Sequence, residues 1–217
     1  AYPHSKVLMI GEIVNSLQKN IKSLDIYENW KKIYDKNFLI ETPLVLIPLK
    51  QIEIGDNHVL MLTVEGEVYS YGDGQSGITG NGIFTYHFKP AKVKFQYNTV
   101  SIIRIAAGGR HNLAINSNQI IYSWSSGKNG RLGHDNEKDQ HYHKAIESIS
   151  NNKIIYCSAG DTYSCAISQE DSLFTWGSGE FGRLGHEGNT DEFVPKEVQE
   201  LESIRGRSFD ERSFLLL

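Results

Sequence analysis

Apolar and polar positions alternate along this chain in short bursts, and the bursts recur. Residues 59–64, 113–115 and 165–167 are apolar-rich runs. Each is followed by a polar turn: Glu65-Gly66-Glu67, Ser117-Asn118-Gln119 or Gln169-Glu170-Asp171. A second run with period-two alternation comes next: Val68-Tyr69-Ser70-Tyr71, Ile121-Tyr122-Ser123-Trp124 and Leu173-Phe174-Thr175-Trp176. Two such runs across a short turn predict a β-hairpin, three times over. Behind each hairpin lies a glycine-rich stretch without helical period. Glycine there supplies positive φ and close backbone approach, so tight bends are predicted in place of a helix. A last extended piece carries proline in two copies, Pro90-Ala91-Lys92-Val93 and Pro195-Lys196-Glu197-Val198. The first 40 residues read differently. Ile10, Ile13, Val14, Leu17, Ile21 and Leu24 recur at helical spacing. Asp25 with Glu28 resembles a capping box ahead of Ile26, Trp30, Ile33 and Tyr34. Residues 1–40 are therefore expected to be a helical lead-in packed on the first sheet unit.

The bursts are copies of one another. The segments SYGDGQSGITGN (70–81), SWSSGKNGRLGH (123–134) and TWGSGEFGRLGH (175–186) align without gaps. Tyr71, Trp124 and Trp176 share a column, with separations of 53 and 52 residues. Three glycine columns follow: Gly74, Gly127, Gly179; then Gly77, Gly130, Gly182; then Gly80, Gly133, Gly185. Upstream, Gly55, Gly108 and Gly160 form one column, and His58, His111 and Tyr163 another. A unit of about fifty residues with several short strands is one blade of a β-propeller. The repetition also decides how to read a G-x-G-x-x-G at Gly177, Gly179 and Gly182, a spacing shared with dinucleotide-binding loops. Its counterparts are Gly72, Gly74 and Gly77 in the first copy, and Gly127 and Gly130 behind Ser125 in the second. A phosphate site is made once per ligand, whereas a blade corner is made once per blade. No helix start follows these glycines either, so they are read as corners.

The runs AAGGRHNLAI, YSWSSGKNGRLGH and FTWGSGEFGRLGHEGNTDEFVPKEV closely resemble the RCC1 (regulator of chromosome condensation) repeat over roughly residues 43–217. Kelch repeats have a similar period but not the G-[RQ]-L-G-H run. The resemblance implies an all-β fold, a partial RCC1-like β-propeller of about three to four blades of a seven-bladed type, and the helical spacing within residues 1–40 adds a short N-terminal α-helical segment. The repeats fall at about 52–104, 105–156 and 157–208. Residues 209–217 fit the start of a fourth, with Ser213 in the column of Ser164 and Leu215-Leu216 in that of Ala166-Ile167. Seven blades at this period need about 350 residues. The expectation is therefore a fragment of a longer chain, or a ring completed by other chains.

Composition narrows the function. A net charge of −4 gives no chain-wide reason to expect nucleic acid or an anionic membrane. No apolar stretch approaches the roughly 18 residues of a membrane span. Cys157 and Cys165 form no CxxC; they suit a reducing compartment, cytoplasm or nucleus, as small buried groups. His141-Tyr142-His143, near His134 and Asp135, is the densest group of ligand types, yet no zinc spacing supports it and a solvated loop is expected there. His134 and His186 share the repeat column and read as corner residues. No catalytic residue, metal or cofactor is expected. The resemblance implies a scaffold that binds partner proteins through propeller loops. Its alternative is guanine-nucleotide exchange on a Ran-like small GTPase, although no long insertion interrupts these periods. A third family role, plant ultraviolet sensing, uses a G-W-R-H-T column; here Gly109 stands where that role has Trp. Asp135, Glu187 and Asp191 are the exposed acidic candidates for partner contact on the loop-bearing face.

Overall fold

The computed structural model describes residues 48–74, 77–80, 82, 87–95 and 101–199; the expected helical lead-in at 1–40 and the fourth repeat start at 209–217 lie outside them. The described residues form three four-stranded antiparallel sheets, each ordered as in the chain. The first blade holds β1 (Leu49–Ile54), β2 (His58–Thr63), β3 (Val68–Gly72) and β4 (His87–Lys92). The second holds β5 (Ile102–Ala107), β6 (His111–Asn116), β7 (Ile121–Ser125) and β8 (Gln140–Ala145). The third holds β9 (Ile154–Ala159), β10 (Tyr163–Ser168), β11 (Leu173–Gly177) and β12 (Glu192–Glu197). The expected hairpins are β2–β3, β6–β7 and β10–β11. Ahead of each stands a further strand, β1, β5 or β9, that the hydrophobic pattern alone did not separate.

The hairpin turns show why polar residues bound them. Gly66, Gln119 and Asp171 hold the same left-handed position, with φ of 84°, 63° and 64°. The strand residue before each turn has a short polar side chain that accepts a turn amide. Thr63 Oγ1 takes Glu67 N at 3.1 Å, and Ser168 Oγ takes Ser172 N at 3.2 Å. Asn116 Oδ1 takes both Asn118 N and Ile120 N at 3.0 Å. Local side-chain acceptors of this kind fix where a strand stops.

The second strands of the first two blades, β2 and β6, are buried on both faces, whereas β10 of the third is fully buried only at alternate positions. Leu60, Leu62 and Val68 point forward, toward the second blade, where they meet Ile102, Ile105, Ala114 and Trp124. Leu113, Ile115 and Ile121 point forward in turn and meet Cys157, Ala166, Phe174 and Trp176 of the third. Val59, Met61 and Tyr71 form a cluster on the rear of the first blade with Leu49, Ile52, Ile54 and Tyr69. First strands pack side by side, β5 between β1 and β9. Gln51 reinforces that contact as a side-chain substitute for a strand rung: its Nε2 donates to Ile105 O at 2.8 Å and its Oε1 accepts Ile105 N at 3.1 Å. Between β5 and β9, the Arg104 guanidinium lies 4.3 Å over the Tyr156 ring.

The fourth strands close each sheet. Their ladders shift between Ser70 and Gly72, Ser123 and Ser125, and Thr175 and Gly177. In the second blade Ser123 pairs with Lys144 and Ser125 with Gln140, so His141-Tyr142-His143 bulge opposite Trp124. The His-Tyr-His group was expected in a solvated loop; it is instead part of β8. An edge strand with one exposed side tolerates polar residues, and a bulge there turns the strand aside from further pairing.

Candidate functional site: the blade joints and the loop face

The repeated columns converge where two blades meet. At the first joint, Ile78 O accepts Asn112 Nδ2 at 2.7 Å and Trp124 Nε1 at 3.2 Å. At the second, Arg131 O accepts Ser164 Oγ at 2.8 Å and Trp176 Nε1 at 2.9 Å. The Asn112 amide and the Ser164 hydroxyl have spent hydrogens on those carbonyls. Asn112 Oδ1 and Ser164 Oγ are therefore acceptors for His58 Nε2 at 2.6 Å and His111 Nε2 at 2.8 Å. Both imidazoles are held as Nε2–H tautomers. Each joint is thus an open chain of four hydrogen-bonded groups: a histidine and a carbonyl from one blade, an Asn or Ser and a Trp from the next.

Both histidines are fully buried. Burial lowers His58 to about 4, partly opposed by its hydrogen bond to Asn112. Burial lowers His111 to about 3, helped by the Arg131 and His58 charges. Their Nδ1 atoms have no hydrogen-bond partner. The rings lie against Gly55 and Gly108, where a Cβ would overlap them, which accounts for that glycine column.

The G-x-x-G-x-x-G spacing is two consecutive turns. Gly77 N donates to Gly74 O at 3.1 Å and Gly80 N to Gly77 O at 2.8 Å. The second blade repeats this with Gly130 N to Gly127 O at 3.0 Å and Gly133 N to Gly130 O at 2.9 Å. In the third, Gly182 N reaches Gly179 O and Gly185 N reaches Gly182 O, both at 3.0 Å. A single 3-10 turn, Glu180–Gly182, stands where a dinucleotide loop would start a helix. Gly179 N is itself taken by Asp191 Oδ1 at 2.9 Å. The amides of Gly179, Gly182 and Gly185 are therefore already bonded within the blade instead of facing a phosphate. Close approach adds a second demand on these glycines. A Cβ at Gly80 would stand 2.7 Å from Trp124 Nε1, and one at Gly133 would stand 3.0 Å from Trp176 Nε1. At Gly77 and Gly130 it would meet the Cα atoms of His141 and Phe193, on the next blade's fourth strand, at 2.6 and 2.7 Å.

His134 and His186 are corner residues, as their column suggests. Ser123 Oγ donates to Leu132 O at 2.7 Å and accepts His134 Nε2 at 2.9 Å. Thr175 Oγ1 does the same with Leu184 O at 2.5 Å and His186 Nε2 at 3.0 Å. Burial lowers His134 to about 4, with the Lys144 charge adding to the effect. Among the described residues no three His, Cys, Asp or Glu side chains gather as a metal site. His143 stacks on Phe95 at 4.2 Å, with Tyr122 at 5.9 Å from Phe95, beside a cleft of about 570 Å³ along β8. Cys157 is buried and Cys165 half-buried, both as free thiols. Cys157 pairs with Ala166 and Cys165 with Ser158, so the two sulfurs leave opposite faces of the sheet. Burial raises both, Cys165 to about 11.

The three acidic candidates fall into different places. Asp135 and Glu187 occupy the same column on successive blades and are exposed. Asp135 has a left-handed backbone (φ 60°), and its N–H reaches Phe193 O on the third blade at 2.9 Å. Asp191 was expected to be exposed but is half-buried, with both oxygens engaged. Besides Gly179 N, it accepts Asn129 Nδ2 across the joint at 2.8 Å. Asp139 clasps Gly127 N in the second blade at 2.9 Å in the same way.

The regulator of chromosome condensation (RCC1) repeat model matches residues 65–115, 120–167 and 170–208, and a second model of the same repeat matches 49–78. The chain belongs to the RCC1-repeat family. The matches at 65–115 and 120–167 each run from the third strand of one blade into the second strand of the next, so each family unit straddles one joint. Human "E3 ubiquitin-protein ligase HERC2" is 29% identical over 76% of this chain and 4% of its own length. The Arabidopsis thaliana "Ultraviolet-B receptor UVR8" is 31% identical over 71% of this chain and 35% of its own. The chain therefore spans about a third of UVR8 and far less of HERC2. Among solved structures, human WBSCR16 aligns with TM-score 0.63 and 27% identity over 69% of this chain and 37% of that one. Prp20p from Saccharomyces cerevisiae aligns with TM-score 0.63 and 24% identity over 70% and 38%, a likeness of fold alone. The three RCC1 blades are a partial propeller.

Proposed function

We propose that this RCC1-repeat chain is a protein-interaction module within a larger protein and has no chemistry of its own. One observation carries the reading. The polar groups that recur from blade to blade, His58, His111, Asn112, Ser164 and the two indoles, make their hydrogen bonds inside the joints, to one another or to the carbonyls of Ile78 and Arg131. What varies between blades is the exposed loop surface, and binding specificity resides in such loops on a rigid frame. The relatives agree with this division. A ubiquitin ligase and an ultraviolet receptor, by their names, share these repeats while differing in activity, so the fold does not set the chemistry. The partner is a protein, and Asp135 and Glu187 on neighbouring blades are the acidic contacts offered to it. Asp191 holds a joint and drops behind them.

The competing reading is nucleotide exchange on a small GTPase. Labelled GDP release from Ran- and Rab-type GTPases, with this chain in catalytic amounts, separates the two. The scaffold reading expects no acceleration, together with a stable partner whose binding is weakened by Asp135→Lys and Glu187→Lys. Accelerated release that both charge reversals abolish would show exchange instead.

A further inference from the structure

One dipeptide at the second joint differs chemically from its counterparts. The turn between Gly127 and Gly130 reads Lys128-Asn129-Gly130, where the first blade has Gln75-Ser76-Gly77 and the third Glu180-Phe181-Gly182. Asparagine is a thermolabile residue, and a glycine after it puts no Cβ in the way of attack by the backbone nitrogen on the side-chain amide.

The fold holds this pair unreactive. Ring closure requires the Gly130 nitrogen to swing round to the Asn129 side chain. At the Asn129 ψ of 19° it nearly eclipses the residue's own amide nitrogen instead. Its hydrogen is donated to Gly127 O at 3.0 Å. The Asn129 side-chain nitrogen, Nδ2, is held across the joint by Asp191 Oδ2 at 2.8 Å, and Asn129 N–H is held by Glu137 Oε1 at 2.8 Å. On the far side stands β12, close enough that a Cβ at Gly130 would lie 2.7 Å from Phe193 Cα. Rotation of the Gly130 peptide has to wait until that strand moves away.

We propose that Asn129 is a deamidation site gated by the joint between the second and third blades, and that its conversion to a carboxylate keeps that joint open. When the joint parts, Gly130 N bonds to Asn129 Cγ, the Cγ–Nδ2 bond breaks, and ammonia leaves with the Gly130 proton. Water then opens the cyclic imide at either carbonyl, giving aspartate or isoaspartate. Either product sets a carboxylate where Asp191 now receives an N–H, with Glu137 as a third acid beside it. Arg131 lies 3.4 Å from Asn129 Oδ1, but its guanidinium already serves Lys128 O and Asp161 O. Like charges at this range repel, so the blades do not close again as before. Isoaspartate also lengthens the backbone where Gly130 has no room.

The test is incubation of the folded 217-residue chain at pH 7.5, with conversion at Asn129 read by mass spectrometry of chymotryptic peptides. The same chain unfolded in urea gives the unhindered rate. Conversion in the folded chain is expected to be slower by at least about tenfold, since only the open joint reacts. Asp191→Ala releases Nδ2 and should speed conversion by about tenfold. Thr63→Ala removes a turn acceptor in the first blade and should leave the rate at Asn129 unchanged. Asn129→Asp represents the product. Hydrogen exchange at the Asp135 amide, which crosses the joint to Phe193 O, should quicken in it by about tenfold. Asn129→Asp combined with Asp191→Asn exchanges donor and acceptor, and should restore slow exchange. Equal conversion in the folded and urea-unfolded chains, a comparison that needs no variant to fold, would overturn the gate. Equal acceleration by Thr63→Ala and Asp191→Ala would overturn it too, because conversion would then follow global unfolding. Unchanged exchange at Asp135 in Asn129→Asp would overturn the claim that the product holds the joint open.

Discussion

Acidification attacks both joints through one feature, the neutrality of His58 and His111. Each folded-state value, about 4 and about 3, lies below the ordinary imidazole value of about 6.5 that the unfolded chain retains. Between those limits the unfolded chain takes up protons that the folded chain refuses. The stability held by the neutral rings is therefore complete above about pH 6.5 and is lost as pH falls toward the folded values. At pH 5 the loss is about 2 kcal/mol for each histidine, about 4 kcal/mol for both, against a total stability of about 5–15 kcal/mol. Glu53 opposes the trend weakly at lower pH, since burial raises its carboxyl. The assay is urea unfolding followed by circular dichroism at pH 7.5 and pH 5, a window chosen to lie above most carboxylate titration. His58→Gln and His111→Gln retain an N–H donor for Asn112 Oδ1 and Ser164 Oγ while removing the titration. Each substitution should cut the pH-dependent loss by about 2 kcal/mol. A double variant with the same pH dependence as the unaltered chain would refute the reasoning.

Four further substitutions test the geometry of the corners by thermal unfolding. Gly80→Ala meets both a positive φ of 67° and the Trp124 indole, and should cost about 3 kcal/mol, whereas Gly182→Ala shares the φ (70°) but meets nothing and should cost only about 1 kcal/mol. Phe181 holds a left-handed backbone (φ 61°) at 90% exposure, in the column where the second blade has Asn129. Phe181→Asn should therefore raise stability by about 0.5–1 kcal/mol, or about 2–3 °C in Tm. Asp191→Ala removes the acceptor of Gly179 N and Asn129 Nδ2 and should cost about 1–2 kcal/mol; an unchanged Tm would mean the clasp is incidental.

The period, the hairpins and the corner role of the glycines were legible because they are local. A turn of three polar residues or a glycine every third position leaves its mark within ten residues of sequence. The first strand of each blade was harder to see. Residues 102–107 read IIRIAA, which neither alternates nor carries turn residues, because β5 is buried against two neighbours at once. The joint was out of reach for a different reason. Alignment shows that His58 and His111 share a column but not that each bonds a residue 54 or 53 positions further on. Asp191 reads as an exposed acid in the sequence for the same reason, since its partner Asn129 is 62 residues away. His141-Tyr142-His143 misled by composition: polar residues at an outer edge resemble a loop when the ladder that holds them cannot be seen.

The joint between the second and third blades can be tested most directly by a double-mutant cycle on His111 and Ser164, which lie 53 residues apart and 2.8 Å from each other. Their polar contact predicts that His111→Ala and Ser164→Ala are coupled by about 1 kcal/mol or more in unfolding free energy. Losses that simply add, within about 0.3 kcal/mol, would contradict the joint as described.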